Sequence, residues 1–361
     1  MPLLRRRRRR EHHQQRGTTV VDQAMTPLHT APTLEQVAER AGVSRSTASR
    51  AINGGDRVSP EAMASVADAV AALGYTPNRA ARSLVTRRTD SVALVVPEPD
   101  ERVLSDPFFA GVLNGVSLAL SDSDLQLLLL IARPDDAART VRYLRAGHVD
   151  GAIIVSHHRD DAIDRALEDS GLPTVFMGRP FTTRRQLSLI DTDNVGGARL
   201  ATEHLVRTGR RRIATITGPA DMSAGIDRLE GWRQALHAAG LADDAVVIGD
   251  FTLDGGATAA RELVERFPDA DGVFIASDLM AAGAVPVLTA AGRSIPDDLG
   301  VVGYDNSGMA VTTKPTLTTI TQPVVAMARA AGAELIAQLR GEPARTVPMI
   351  FEPELVVRDS A

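Results

Sequence analysis

Residues 45–53, Arg-Ser-Thr-Ala-Ser-Arg-Ala-Ile-Asn, concentrate short hydroxyls, two guanidinium groups and a carboxamide in one run. These are the groups that hydrogen-bond to base edges and phosphate oxygens. An arginine fork matches the two acceptors on a guanine edge, and each such pair discriminates against a wrong base by about 1–3 kcal/mol. Such donors need a rigid element, and the flanking residues supply one. Thr33 with Gln36 three residues on is a capping box that starts a helix. Leu34, Val37, Ala38 and Ala41 share one face of it, and Gly42 is suited to end it in the left-handed conformation. Ser44 caps a second helix, with Val43 placed to pack back on it and Ala48, Ala51 and Ile52 turned inward. Two short helices joined by such a turn form a helix-turn-helix, whose second helix enters the DNA major groove. A helical hairpin that binds only protein shares this frame, but the donor-rich second helix favours duplex DNA. Arg45, Ser46 and Arg50 are expected to read bases, and Thr47, Ser49 and Asn53 to hold phosphate or pack. Thr33 and Ser44 complete the DNA-facing set.

A third helix follows, with Ser59 as its cap, Pro60 at its first position and Glu61 in its first turn. Val66, Ala69, Val70 and Leu73 form its apolar side, and Gly74 ends it. Asn78 then caps one more short helix carrying Arg79, Arg82 and Leu84. A helix that short is marginal alone in water and needs a partner.

From Ser91 onward short apolar runs alternate with helical stretches. SVALVV, LQLLLLIA, GAIIVS and PTVFMG form one set; RIATITG, VVIGD, GVFIAS and GVVGYD form a second after Asp191. Buried apolar strands alternating with helices predict parallel sheets covered on both faces. The expected architecture is therefore α/β, a body of two doubly wound lobes behind an all-α head. The tail Thr318–Ala361 adds a strand, a helix over 324–340 and two short strands.

The chain resembles the LacI/GalR family of bacterial transcription regulators. TLEQVAERAGVSRSTASRAIN, GYTPNRAARSLVTRRTDSVALVVP, RLEGW, FIASDLMAAGA, IPDDLGVVGYDN and LTTITQP carry the likeness, from Thr33 to the C-terminus. One departure is Ala48, where the family usually has valine, a matter of head packing more than of base reading. The resemblance implies a two-lobed periplasmic-binding-protein-like body and a homodimer presenting two heads to a palindromic operator. It implies a helix-turn-helix domain over 33–76, a hinge helix and linker over 77–90, and an effector-binding and dimerisation domain over 91–361. Lobe 1 would span 91–190 and 322–341, and lobe 2 would span 191–321 and 342–361. The chain would cross between them near Ile190–Asp191, Thr321–Gln322 and Gly341–Glu342. Asn78, Arg79, Ala81 and Leu84 join the DNA-binding set, and Leu84 matches the leucine that wedges into the minor groove. An apolar wedge unstacks a base step and bends the duplex.

Ligands of doubly wound sheets bind beyond the carboxyl ends of the strands. Phe108 and Phe109 follow the first strand and suit an apolar platform under a sugar ring. Arg228 matches the family's effector-contacting arginine, whose fork holds vicinal hydroxyls or a carboxylate. Asp278 and Asp305 match acidic ligand positions, and Gln322 stands at the second crossing. Ser156, His157 and His158 read as an exposed loop. The expected effector is a small molecule, a sugar on family grounds, and no metal or other cofactor is called for.

Composition fits this division. The chain of 361 residues lacks cysteine, so disulfide frameworks, thiolate zinc sites and thiol nucleophiles are excluded. Net charge is −5, yet residues 1–90 hold fifteen arginines against eight Asp and Glu, which leaves the negative charge on the remainder. A basic end on an acidic body suits a molecule that meets phosphate at one end. Lys314 is the only lysine, so the arginine bias is chain-wide and does not itself argue for base reading. The first 32 residues, with six arginines at 5–10, read as a disordered basic extension, and Met25 offers a start nearer the first helix. No apolar run reaches the ~20 residues that span a bilayer, and a cytoplasmic location is expected. No G-x-S-x-G, P-loop, H-E-x-x-H or G-x-G-x-x-G motif is present, which argues against an enzyme. A solute-binding protein of the cell envelope would share the two-lobed body, but it calls for an export signal and no DNA head.

Overall fold

The structure is a computed structural model that describes residues 32–53, 57–76, 88–133, 136–160, 162–168, 170–181 and 187–361. The basic extension and the expected hinge residues Asn78, Arg79, Ala81 and Leu84 lie outside these. The chain divides into two units, Met1–Ala81 and Arg82–Ala361.

In the first unit α1 (Leu34–Ala41), α2 (Arg45–Ile52) and α3 (Pro60–Leu73) form a three-helix head. The capping box closes on both sides: the Gln36 amide donates to Thr33 Oγ1 (3.3 Å) and the Thr33 amide to Gln36 Oε1 (2.8 Å). Ser44 Oγ accepts from the Thr47 amide, and Ser59 Oγ from that of Ala62. Gly42 and Gly74 end their helices with φ of 66° and 61°. The core is small, with Val37, Ala38, Ala48, Val66 and Ala69 at its centre. Ala48 is fully buried there, so the departure from valine does fall on packing.

The second unit alternates strands and helices. Its first half runs β1 (Ser91–Val96), α4 (Asp100–Ser105), α5 (Pro107–Leu120), β2 (Gln126–Ile131), α6 (Ala137–Arg145), β3 (Gly151–Val155), α7 (Ala162–Glu168), β4 (Thr174–Met177) and β5 (Ser188–Thr192). Its second half runs α8 (Asn194–Arg207), β6 (Ile213–Thr217), α9 (Ser223–Ala239), β7 (Val246–Ile248), α10 (Leu253–Arg266), β8 (Gly272–Ile275), α11 (Asp278–Ala290) and β9 (Gly300–Asp305). A 3-10 turn (Gly308–Val311), β10 (Thr318–Thr321), α12 (Val324–Leu339), β11 (Met349–Phe351) and β12 (Leu355–Val356) complete it. Helix α4 was not legible: its six residues, DERVLS, are too few to show a stripe.

Two six-stranded sheets result, ordered β11-β5-β4-β3-β1-β2 and β12-β10-β9-β8-β6-β7. All neighbours are parallel except β10 and β12. Alternation along β1 shows why its run is apolar throughout: Val92, Leu94 and Val96 enter one core, Ala93 and Val95 the core on the other face. The third passage between lobes differs from expectation. β11 pairs with β5 and becomes the edge of that sheet, Met349 opposite Ile190, so the chain stays in the first lobe until Phe351 and enters the second at β12. The Gly341 region only turns α12 back, at φ 89°.

Candidate nucleic-acid interface and ligand cleft

Helix α2 sorts its polar residues by burial. Arg45, Ser46, Arg50 and Asn53 are exposed, whereas Thr47 and Ser49 are half-buried. Arg45 Nε lies 2.6 Å from Glu35 of α1, a pair exposed on both sides and thus worth about 0–1 kcal/mol, weak enough to exchange for a base. Arg50 donates from Nε to Ser46 O (3.2 Å), a bond that does not require its two terminal nitrogens. Asn53 Nδ2 donates to Ser49 O (2.8 Å) and ends the helix. The exposed set is the one that sequence assigned to bases, joined by Asn53; Thr47 and Ser49 are the half-packed members.

The sheet orders place the second constellation. In both sheets the connections reverse direction at the first strand, between β1 and β3 and between β6 and β8, and there loops splay apart beyond the carboxyl ends. Loops after β1, β3, β6 and β8 converge on one cleft. Its lining includes Arg102, Asp106, Phe108, Phe109, Ser156, His157, Asp191, Asn194, Met222, Arg228, Phe251, Ser277, Asp305 and Gln322. Three of these residues, Ser156 (φ 68°), Phe251 (φ 63°) and Asp305 (φ 107°), hold backbone conformations that side-chain-bearing residues rarely adopt. Such conformations persist where the surroundings over-determine them, and they cluster at functional sites.

Arg228 is the centre of the cleft and is only 4% exposed. Nε donates to Asn194 Oδ1 (2.9 Å), Nη1 to Ala276 O (2.6 Å) and Nη2 to Gln322 Oε1 (3.0 Å). The group stacks 3.7 Å from the Tyr304 ring centroid, and Asp305 Oδ1 lies 3.5 Å from Nη1. A guanidinium has five N–H groups, so one on each terminal nitrogen lies beyond these three bonds, with Asp305 in ion-pair range of Nη1.

Three carboxyl groups line the same cleft. Burial raises Asp106 above the usual carboxylate range, against the Phe108 amide bond. Burial pushes Asp191 up to about 6, against the Thr192 amide. Burial raises Asp305 well above that range, with Arg228 pulling the other way. Phe108 and Phe109 meet edge to face, centroids 5.2 Å apart, and both line the cleft, Phe109 with its other side in the core.

Two expectations from the sequence differ from the structure. Asp278 is fully buried and does not line the cleft. Its carboxylate accepts from Thr319 Oγ1 (2.6 Å) and the Ser307 amide (2.8 Å), bracing β10 and the turn after β9, while Ser277 caps α11. The trio after β3 is no exposed loop. His157 is 3% exposed, with Nδ1 2.9 Å from Asp164 and Nε2 3.1 Å from Met177 O. His158 joins the lobes: Nε2 meets Glu98 (3.0 Å) and Nδ1 meets Asp221 (2.8 Å). Burial works to raise Glu98, but His158, Arg102 and Ser156 hold it below its usual value; the Glu98 bond in turn lifts His158 to about 9. The Arg159 amide also donates to Asp221 O (2.8 Å), and Arg179 meets Asp227 (2.5 Å). The signal for Ser277 was present, since it follows β8, and for Asp191, which lies near the end of β5; Asp106 caps α5 and Arg102 sits on the unread α4, while Phe251 follows a short edge strand.

Known proteins share this build. Residues 33–78 match the profile described as bacterial regulatory proteins, lacI family, and residues 202–361 match that of a periplasmic binding protein-like domain. The chain is 48% identical over 333 residues to the HTH-type transcriptional regulator CelR of Thermobifida fusca, covering 91% of this chain and 98% of that one. It is 32% identical over 331 residues to the ribose operon repressor of Halalkalibacterium halodurans, covering 91% and 96%. Among solved structures it is similar to a CelR–cellobiose complex (46% identity, TM-score 0.73, 91% of this chain and 100% of that one). It is also similar to the lac repressor dimer bound to operator and the anti-inducer ONPF (26% identity, TM-score 0.81, 92% and 99%). With a helix-turn-helix head, a two-lobed body and relatives of this closeness along nine-tenths of its length, the chain belongs to the lacI family of bacterial regulatory proteins, DNA-binding regulators of transcription.

Proposed function

We propose that this regulator is a cytoplasmic homodimeric repressor of a palindromic operator, governed by a neutral oligosaccharide of the cellobiose kind bound between its lobes. One observation carries the choice of ligand: Asp106, Asp191 and Asp305 line the cleft together with Arg228, and burial raises all three carboxyl groups. Desolvated carboxyl groups gain from hydroxyl donors and repel a second anion, which favours a neutral sugar over a sugar phosphate. Phe108, Phe109 and Phe251 offer the apolar faces that pyranose rings stack on. The cellobiose in the similar CelR complex fits this chemistry. In this reading Phe108, Phe109, Arg228, Asp305 and Gln322 contact the sugar. Arg45, Ser46 and Arg50 read bases, while Thr33, Ser44, Thr47, Ser49 and Asn53 hold backbone.

The test is a thermal-shift panel of cellobiose, cellotriose, glucose, glucose 6-phosphate and adenosine on the whole protein, since a ligand of the folded state raises Tm. Cellobiose or cellotriose is expected to give the largest rise and to release an operator selected from random duplexes. A rise with glucose 6-phosphate or adenosine alone would overturn the assignment.

A further inference from the structure

The body begins at a clamp. Asp150, just before β3, accepts from the Thr89 amide (2.7 Å), the Thr89 hydroxyl (2.9 Å) and the Asp90 amide (2.9 Å). Asp90 O accepts from the amide of Gln126 (2.8 Å), the first residue of β2. Between these bonds Asp90 is held at φ 51°, a left-handed conformation that a free chain rarely visits. Arg88, exposed at its tip, donates from Nη2 to Leu339 O (3.0 Å). Leu339 is the last residue of α12, and a helix leaves its final carbonyls unpaired, with partial negative charge. An arginine there satisfies a carbonyl and complements the dipole.

The other end of α12 belongs to the cleft. Gln322, which accepts from Arg228, precedes the helix by two residues, and Met327 in its first turn lines the site. Sixteen residues at 1.5 Å each make a rod about 24 Å long. The rod does not slide freely on the lobe. α5, which starts with the cleft residues Phe108 and Phe109, lies against it through glycines. A Cβ at Gly115 would come within 2.6 Å of that of Ala328, and one at Gly332 within 2.5 Å of that of Ala119. The two helices therefore pack as one layer, with Gln322 before one end of α12 and the Arg88 acceptor at the other.

We propose that Arg88 and Asp150 are the positioning residues that couple the cleft to the DNA-binding end: α12 moves the Arg88 anchor while Asp150 holds Thr89 and Asp90 to the sheet. Displacement of one anchor against the other reorients the chain where it leaves the body. The inference deepens the effector-controlled reading above and rests on it for its ligand arm.

The experiment compares wild type, R88A, R88K and D150N as whole proteins. It measures cellobiose affinity, selected-operator affinity with and without cellobiose over a salt series, and amide exchange at Thr89 and Asp90. R88A is expected to bind cellobiose as wild type does while the sugar's effect on operator affinity shrinks about tenfold, within the usual range of coupling. R88K, whose ammonium reaches the same carbonyl, restores part of it. D150N, which loses an acceptor for the Asp90 amide, exchanges faster at Thr89 and Asp90. An operator affinity lowered equally with and without sugar, together with a flatter salt dependence, would make Arg88 a phosphate contact and overturn the proposal. If cellobiose has no effect on wild type, the sugar reading fails by itself. The exchange arm then decides, and unchanged exchange in both R88A and D150N refutes the clamp.

Discussion

Arg50 and Asp191 show how one side chain's setting fixes what its loss should do. Arg50 is exposed on α2 and bonds only within its own helix, so R50A removes a reader without unfolding the head. Operator preference over scrambled duplex is expected to fall by about 1–3 kcal/mol per half-site, with cellobiose affinity unchanged. A gel-shift series with both duplexes measures it, and equal discrimination by the two proteins would remove Arg50 from the reading set. Asp191 is buried, and its carboxyl is raised from 3.8 to about 6. A raised carboxyl contributes stability that is complete below 3.8 and is lost as pH climbs through about 6. D191N does not titrate. Its stability relative to wild type should therefore grow between pH 4 and pH 7, by at most about 3 kcal/mol. Urea unfolding of the unliganded proteins at the two pH values reads this; a pH-independent difference contradicts the assigned burial effect. The same variant should bind sugar less tightly at pH 7, because the ionised form is the better hydroxyl acceptor.

Elements differ in how openly the sequence declares them. Strands β1, β3 and β6 were legible because both faces are buried and nothing interrupts the apolar run. The caps Thr33, Ser44 and Ser59 were legible because capping is local. What was not legible depends on long-range pairing. No local signal says that 349–351 will seek the edge of β5, so the third passage was placed at the first glycine after α12. Nor does a strand-end aspartate announce which way it faces: Asp305 turns to the cleft on a left-handed backbone, Asp278 turns under β10. The α5–α12 contact is equally non-local and gives the test at this scale. G115A would drive a methyl into Ala328 and the α12 backbone, and overpacking of this kind costs about 1–3 kcal/mol. Thermal unfolding should show a lower Tm for the body, and an unchanged Tm would mean that the two helices part easily.

At the scale of the molecule the arginine-rich amino end and the acidic remainder divide the labour. The first is expected to attract phosphate and the second to be repelled by it. If two chains present two heads, the operator is a two-fold site, and tethering makes the second contact nearly intramolecular. A duplex bearing a single half-site should then bind about 10²–10⁴-fold more weakly than the palindrome at equal salt. Fluorescence anisotropy with the two duplexes measures the ratio, and a ratio near one would mean that each head acts alone.

The bonds from His158 and Arg159 to Asp221, and from Arg179 to Asp227, all join one lobe to the other. Much of the lining behind them is buried, Arg228 and His157 included, so entry of a ligand is expected to need the lobes to part. Capture is thus gated by a unimolecular event. In a stopped-flow trace the observed rate should level off as sugar concentration rises, and the plateau is the rate at which these contacts break. H158A, which removes one of them, should lift that ceiling.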